Sequence, residues 1–327
     1  MKVREARYFF LTQEPVHIGA GGYRLGRVDM TICREPGTNL PKIPGTSLAG
    51  AARSYAAQRY GKPQAAGQHK NVAKEPKEKK EQCPILYTFG TASETESGMA
   101  GTVSVGDARI LFFPVQSMAG PVWITTEELL KAAGFKDIKA PVSDQGAISS
   151  TLEGWTQPLN LGWLRLDTPQ ILAATAPEEL AADNNPYLDI AKRLVALSPK
   201  LFSQVVNNNL EVRTSEAIDQ ETGAAVEHML FTYEAIPRGT WLFSEAVEDD
   251  FRGKFPKVGQ CFKDGAENSG DPLGKPWDTP FAVLEAGLDM IQYLGVGGMG
   301  TRGFGRMKLV AESIAEPLQV AVEGGVQ

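Results

Sequence analysis

The sequence predicts an α+β fold from three observations taken together. Strand-like segments open and close the chain, "REARYFFLT" near the start and "FGRMKLVAES" near the end. Helix starts with recognisable caps lie between them, at "PGTSLAGAARSYAAQRYG" and "TPFAVLEAGLDMIQYLG". Strand and helix do not alternate regularly, as a parallel βαβ series would require, and no internal repeat organises the 327 residues. That length can bury a full hydrophobic core, and a composition 42% hydrophobic and 22% charged is that of an ordinary globular protein.

Each element follows from local chemistry. The aromatic-rich opening strand stops at Pro15 and the glycine cluster Gly19 to Gly22. "RLGRVDMTICRE" reads as a second short strand, with Val28, Met30 and Ile32 alternating. A helix then starts at a cap supplied by Thr46 or Ser47, carries Leu48, Ala51, Ala52 and Tyr55 as its apolar stripe, and ends at Gly61. Residues 61–82 are a polar, Lys-rich loop, and "GTVSVGDARILFFPV" returns to strand. Two helices are expected at about 169–182 and 187–207. "EVRTSEAIDQETGAAVEHMLFTYEAIPRGTWLFSEAV" reads as a hairpin turning at Glu221-Thr222-Gly223, followed by a strand. After a loop-like stretch, Thr279 caps the last long helix with Pro280 at its first position.

Composition excludes some functions and suggests another. No apolar run approaches the roughly 18–20 residues of a membrane-spanning helix; "ILFFPV" at 110–115 has core-strand length. "MKVREARYFFLTQ" lacks the apolar stretch of a secretory signal, so the expected location is the cytoplasm. Cys33, Cys83 and Cys261 make neither a zinc spacing nor a disulfide framework, and read as reduced thiols. The net charge of −6 conceals an asymmetry: residues 1–80 hold 15 Lys and Arg against 6 Asp and Glu, residues 81–327 hold 18 against 33. A basic face able to meet phosphates, on an acidic body, is the implication. The Lys/Glu run at 74–82 is accounted for as a solvated loop, but Arg24, Arg27, Arg34, Lys42, Arg53 and Arg59 lie outside it.

The stretch Leu294–Met307, "LGVGGMGTRGFGRM", contains six glycines in fourteen residues. Gly295, Gly297 and Gly300 spell G-x-G-x-x-G, the dinucleotide fingerprint. That fingerprint needs strand, turn, then helix, because the helix N-terminus holds the pyrophosphate. Here helix precedes loop and strand follows it, so the dinucleotide reading fails. What remains is a cradle for an anion or an RNA backbone, with Arg302 and Arg306 nearby. A helix C-cap and tight turn would account for one or two of the glycines.

Three segments, "PVHIGAGGYRLGRVDMTICRE…LPKIPGTSLAGAAR", "GTVSVGDARILFFPVQSMAGPVWITT" and "GVGGMGTRGFGRM", together resemble the RAMP superfamily of CRISPR proteins. More narrowly they resemble the repeated backbone subunit of type III-B (Cmr) RNA-targeting complexes. "EVRTSEAIDQETGAAVEHMLFTYEAIPRGT" also fits, so the resemblance spans nearly the whole chain. It implies a ferredoxin-like, RRM-related palm with helical insertions and a β-hairpin thumb. On this chain that is a single domain over 1–327, with palm core at about 1–60, 100–125 and 278–312. The Lys-rich loop would take 61–82, a helical insertion about 169–207, and the thumb about 211–237. It also implies guide crRNA, target RNA, further copies of the chain in a filament and other Cmr-type subunits as partners, with no membrane. Family members of this kind cut target RNA at regular intervals with a loop aspartate and a divalent metal, Mg or Mn.

By that resemblance Asp29 is the catalytic and metal-binding carboxylate, and the chemistry can be argued independently. RNA carries its own nucleophile, the 2′-hydroxyl, which must be aligned with phosphorus and relieved of its proton. A carboxylate does this directly or through a metal that stabilises the phosphoryl oxygens. Glu234 is a candidate second carboxylate, with a solvent-facing strand residue as the alternative. His17 is a candidate for RNA contact or proton transfer, or else a hydrogen-bonded structural histidine. His69 and His228 read as surface residues, and Asp107 as structural. RNA binding is assigned to Lys42, Ser47, Arg53, Gly297, Gly298, Gly300, Arg302, Gly303 and Arg306.

Two departures from the family pattern matter. Ala49 stands where the family has a lysine, and Ala235 where relatives can carry an aromatic residue. Both lend weight to an alternative, a structural RNA-binding filament subunit without nuclease activity. A guide-processing RAMP endoribonuclease would need His17 as its base.

Overall fold

The computed structural model describes residues 2–21, 28–67, 80–91, 98–216, 218, 221, 223, 230–258 and 276–319. Arg24, Arg27, His69, Thr222, His228 and Cys261 lie outside them, as does most of the Lys-rich run.

The first block comprises β1 (Lys2–Thr12), a two-residue β2 (Lys42–Ile43), α1 (Gly45–Arg59), α2 (Pro84–Phe89), β3 (Val103–Val105), β4 (Ala108–Ser117) and β5 (Gly120–Thr125). A long insertion follows: α3 (Glu127–Ala132), β6 (Lys136–Lys139), β7 (Ser149–Ser150), β8 (Leu159–Leu161), β9 (Leu164–Leu166), β10 (Gln170–Ile171), β11 (Ala173–Thr175), α4 (Glu178–Ala181), α5 (Tyr187–Ile190), β12 (Leu194–Ala196) and α6 (Pro199–Asn208). The last block is β13 (Glu211–Ser215), β14 (Phe231–Ala235), β15 (Trp241–Asp249), α7 (Pro280–Leu288), α8 (Ile291–Leu294), β16 (Met307–Ile314) and β17 (Leu318–Gln319).

One mixed sheet organises the chain, in the order β10-β7-β12-β5-β4-β15-β1-β16, with β2, β3 and β17 paired to β4, β15 and β1. Its four longest strands, β4-β15-β1-β16, are antiparallel neighbours. With α1 between β1 and β4 and α7 between β15 and β16, they form a βαββαβ unit. Alternation splits their side chains between two cores. Tyr8, Phe10, Ile110 and Leu242 meet Leu48, Ala52, Phe281 and Leu284 of α1 and α7 on one face. Phe9, Leu111, Phe112, Trp241 and Phe243 meet Leu130, Phe135, Tyr187 and Ile190 of the insertion on the other. Both faces are covered, which explains the unbroken apolar run "ILFF" in β4. Helices α1 and α7 touch backbone to backbone: a Cβ on Gly287 would lie 2.1 Å from the Ala52 carbonyl oxygen, so only glycine fits there.

The end strands, the α1 helix and the Thr279-capped helix agree with expectation; the Thr279 hydroxyl accepts from the Ala282 amide. Four expectations need correction. The expected helix at 169–182 is mostly extended, with β10 and β11 in place of its first turns, and only Glu178–Ala181 is helical. The expected helix at 187–207 is broken, because the apolar Leu194–Ala196 pairs with β5 and β7 and Pro199 starts a new helix under a Ser198 cap. Of "RLGRVDMTICRE", the described residues 28–35 form single bridges, Met30 to Tyr233, Ile32 to Gly19 and Arg34 to Pro41, rather than a strand. Neither Thr46 nor Ser47 caps α1: its first amide, on Gly45, donates to Asp107 Oδ1 at 2.8 Å, a cap supplied from 62 residues away.

Candidate active site

The antiparallel β13–β14 ladder pairs Glu211 with Ala235 through Ser215 with Phe231. Residues 29–34 run beside β14 and are laced to it. The Met30 amide donates to the Thr232 carbonyl at 3.0 Å, and the Glu234 amide to the Met30 carbonyl at 3.2 Å. Val28 and Ile32 are buried and Asp29 is exposed, while Met30 and Thr31 are both half-buried, so the alternation expected of Val28, Met30 and Ile32 is only partly present.

Asp29 is clasped by one residue. The Thr232 amide donates to Asp29 Oδ2 at 2.7 Å and the Thr232 hydroxyl donates to the same oxygen at 2.9 Å. The Asp29 amide lies 3.0 Å from Thr232 Oγ1, closing the ring. The Thr232 amide, then its hydroxyl, hold the Asp29 carboxyl below the usual carboxylate range. An exposed, ionised carboxylate is therefore fixed at one oxygen, with both Thr232 bonds on Oδ2.

Glu234 is neither solvent-facing nor free to act as a base. It is buried, and its Oε1 accepts from the Ile32 amide at 3.0 Å and from Arg34 Nη1 at 2.5 Å, while Oε2 accepts from Arg34 Nη2 at 3.0 Å. This bidentate pair fastens the Asp29-bearing segment to β14. His17 is also buried. Its Nδ1 lies 2.7 Å from the Glu234 carbonyl, and since a carbonyl cannot donate, Nδ1 carries the proton. The ring packs edge-on against Tyr233, an arrangement that fits the reading of His17 as a hydrogen-bonded structural histidine.

The glycine loop lies against these residues. The Gly298 amide donates to the His17 carbonyl at 3.0 Å and the Gly305 amide to the Pro15 carbonyl at 2.8 Å. Four of the six glycines have a folding reason. Gly295 and Gly303 sit at φ +76° and +80°. Gly297, at φ +88°, and Gly305, at +93°, also leave no room for a Cβ, which would lie 2.4 Å from Ile18 Cδ1 and 2.5 Å from the Val296 carbonyl oxygen respectively. More glycines are thus structural than the one or two expected. Gly298 and Gly300 have neither constraint, and around Gly300 the space is open within 4 Å. Met30 and Met299 pack on Tyr233, Ala235 and Phe304, which joins loop, ladder and Asp29 segment. The exposed Arg302 guanidinium lies 5.0 Å over the Phe231 ring, and Arg213 lies 4.8 Å over Phe304. Arg306 is paired with Glu14 at 2.7 Å.

Two of the three residues assigned to RNA near α1, Lys42 and Arg53, are occupied within the chain. Lys42 Nζ lies 2.8 Å from Glu35 Oε2 and 2.6 Å from Asp107 Oδ2, and those hydrogen bonds hold its ammonium above the usual lysine range. Arg53 is half-buried and donates to the Ala65 carbonyl at 2.9 Å, tying α1 to the following turn. Ser47 is half-buried in the first turn of α1. These three do not converge with Asp29 in one hydrogen-bonded cluster, whereas Gly298, Arg302 and His17 lie in contact with its neighbours.

Among the described residues no group of three His, Cys, Asp or Glu side chains is placed to hold a metal ion. One exposed carboxylate fits a hard divalent cation whose other ligands are phosphate oxygens and water. The sequence does not mark Thr232, and it offers Arg34 as part of a basic face rather than as the partner of Glu234; their partners lie 203 and 200 residues away, and no local pattern connects them.

Known proteins agree with this architecture. Residues 9–308 match the family model of the RAMP superfamily. The chain is 32% identical over 320 residues to the CRISPR system Cmr endoribonuclease Cmr4 of Pyrococcus furiosus, covering 93% of this chain and 94% of that one. A type III-B Cmr-beta structure bound to cognate target RNA superposes with a TM-score of 0.61 at 16% identity, over 94% of this chain and 96% of that chain. Oligomeric Cmr4 from Pyrococcus furiosus gives a TM-score of 0.55 at 23% identity, over 96% and 98%. Among the described residues no helix is long and apolar enough to cross a membrane. The chain belongs to the RAMP superfamily, and is Cmr4-like within it.

Proposed function

We propose that this chain is a guide-binding backbone subunit of a type III-B CRISPR effector complex that cleaves complementary target RNA at regular intervals, with Asp29 catalytic. The observation that carries this is the setting of Asp29, an exposed carboxylate kept ionised by Thr232 on a segment packed between the β13–β14 ladder and the glycine loop. Kinship supports the rest: the Pyrococcus furiosus relative is named an endoribonuclease, and the solved structures include a complex with target RNA and an oligomeric form. By transfer, its partners are guide crRNA, target RNA, copies of itself in a filament and other Cmr-type subunits, acting in the cytoplasm. The βαββαβ order supports reading β1, α1, β4, β15, α7 and β16 as a ferredoxin-like, RRM-related palm. The β13–β14 ladder is then the stem of the thumb.

In the proposed step the 2′-hydroxyl of a flipped-out target nucleotide attacks the adjacent phosphorus in line. The P–O5′ bond breaks, the leaving 5′-oxygen takes a proton from water, and a 2′,3′-cyclic phosphate and a 5′-hydroxyl end result. Asp29 orients the hydroxyl and takes its proton. Gly298 and Gly300 let RNA backbone approach closely, and Arg302 supplies charge beside them. A divalent cation, when bound at Asp29, would stabilise charge on the phosphoryl oxygens.

The test is cleavage of target RNA by the reconstituted complex with Mg²⁺ or Mn²⁺. Asp29→Ala and chelation by EDTA should each abolish cleavage while guide binding and assembly persist. Cleavage indifferent to both would favour the second reading, a filament subunit without nuclease activity. One observation favours that reading: Glu234 is fully engaged by Arg34 and Ile32 and offers no second carboxylate.

A further inference from the structure

The Asp29 carboxylate is bound to a residue that no sequence motif marks. Thr232 gives it two donors from one position, main-chain N–H and side-chain O–H, both on Oδ2. In return the Asp29 amide meets the same hydroxyl oxygen. A carboxylate with one hydrogen bond can swing about Cβ–Cγ. One held by two donors on a single oxygen, with its own main chain held too, presents its other oxygen in a fixed direction. Among the described residues the Thr232 hydroxyl bonds Asp29 alone. Thr232 is half-buried, its carbonyl accepts from Met30, and Glu234, two residues along the strand, is occupied by Arg34.

We infer that Thr232 is a positioning residue for Asp29: through its hydroxyl it aims the free carboxylate oxygen and fixes it to the thumb stem. The inference rests on the catalytic reading of Asp29 proposed above. It also makes the thumb part of the reaction geometry. The two residues are 203 positions apart in sequence, so Asp29 moves with β14 rather than with its own loop.

The test uses the complete complex with guide RNA and compares Thr232→Val, which keeps the shape and loses the hydroxyl, with Thr232→Ser, which keeps the hydroxyl. Loss of one oriented hydrogen bond to a charged group should lower the single-turnover cleavage rate about 10- to 100-fold in Thr232→Val. Target affinity should stay unchanged, and Thr232→Ser should restore the rate to within a few-fold of wild type. Adding Thr232→Val to Asp29→Ala should cause no further loss, because both act through one group. Wild-type cleavage by Thr232→Val beside an inactive Asp29→Ala would overturn the inference and leave the catalytic reading standing. Failure of Thr232→Val to bind guide or assemble would make Thr232 structural and overturn it too. Full activity of Asp29→Ala would remove the catalytic reading and the inference with it.

Discussion

Replacing Arg34 with alanine separates a fastening role for Glu234 from a catalytic one. The Glu234 carboxylate accepts three hydrogen bonds, two of them from Arg34, and the side chains are 17% and 9% exposed. Arg34→Ala leaves a nearly dry carboxylate with the Ile32 amide alone. Removing one partner of a buried pair costs about 3–5 kcal/mol, and the residual access of water to Arg34 puts this case near 3 kcal/mol. For a chain of 327 residues the unfolding entropy gives about 1.5 °C per kcal/mol, so Tm should fall by roughly 4–5 °C. Glu234→Gln keeps the shape and loses the charge, and should cost about 1–2 kcal/mol. The double variant Arg34→Met/Glu234→Leu should lose less than the sum of its parts, since neither charge is then stranded. Thermal unfolding by circular dichroism reads these values, and target cleavage by each complex is measured in parallel. An unchanged Tm for Glu234→Gln together with abolished cleavage would refute the fastening argument and return Glu234 to the chemistry.

Further outcomes follow from the same geometry. The Thr232 amide and hydroxyl depress the Asp29 pKa, so its protonation should appear at lower pH than that of an unperturbed aspartate; a carbon-13 carboxyl titration placing it at or above the unperturbed position would contradict the clasp. Gly297→Ala puts a Cβ against Ile18 and the His17 carbonyl at φ +88°, and should lower Tm strongly, whereas Gly300→Ala meets open space and should leave Tm unchanged. Arg302→Ala should reduce the salt slope of guide-RNA binding by about one, read by titrating binding against potassium chloride. Lys42→Ala should leave that slope unchanged and lower Tm, because its ammonium is held by Glu35 and Asp107.

What the sequence made legible was local. The aromatic opening strand, the Thr279 cap and the helix-loop-strand order that ruled out a dinucleotide site are decided by residues within a few positions of each other. Resemblance supplied Asp29, which is exposed between the buried Val28 and Ile32. The failures were decided by distant partners. Leu194–Ala196 has the apolarity of a helix face and becomes a strand because β5 and β7 flank it. Asp107 caps a helix that begins 62 residues before it in the sequence. Glu234 reads as a surface residue until Arg34 is brought to it, and Lys42 reads as an RNA contact until two carboxylates claim it.

The burial of both sheet faces has a consequence for what such a chain can discriminate. An RRM exposes one face of its sheet and stacks bases on aromatic residues there, which lets it prefer particular nucleotides. Here the aromatics of that sheet face, Phe9, Phe112, Trp241 and Phe243, are sealed beneath the insertion. On the proposed function, RNA would then meet the rim, where Gly298, Gly300 and the exposed Arg302 offer close approach and charge to sugar and phosphate. A rim of that kind is indifferent to base identity, as a protein must be if its guide is to be exchanged for any other.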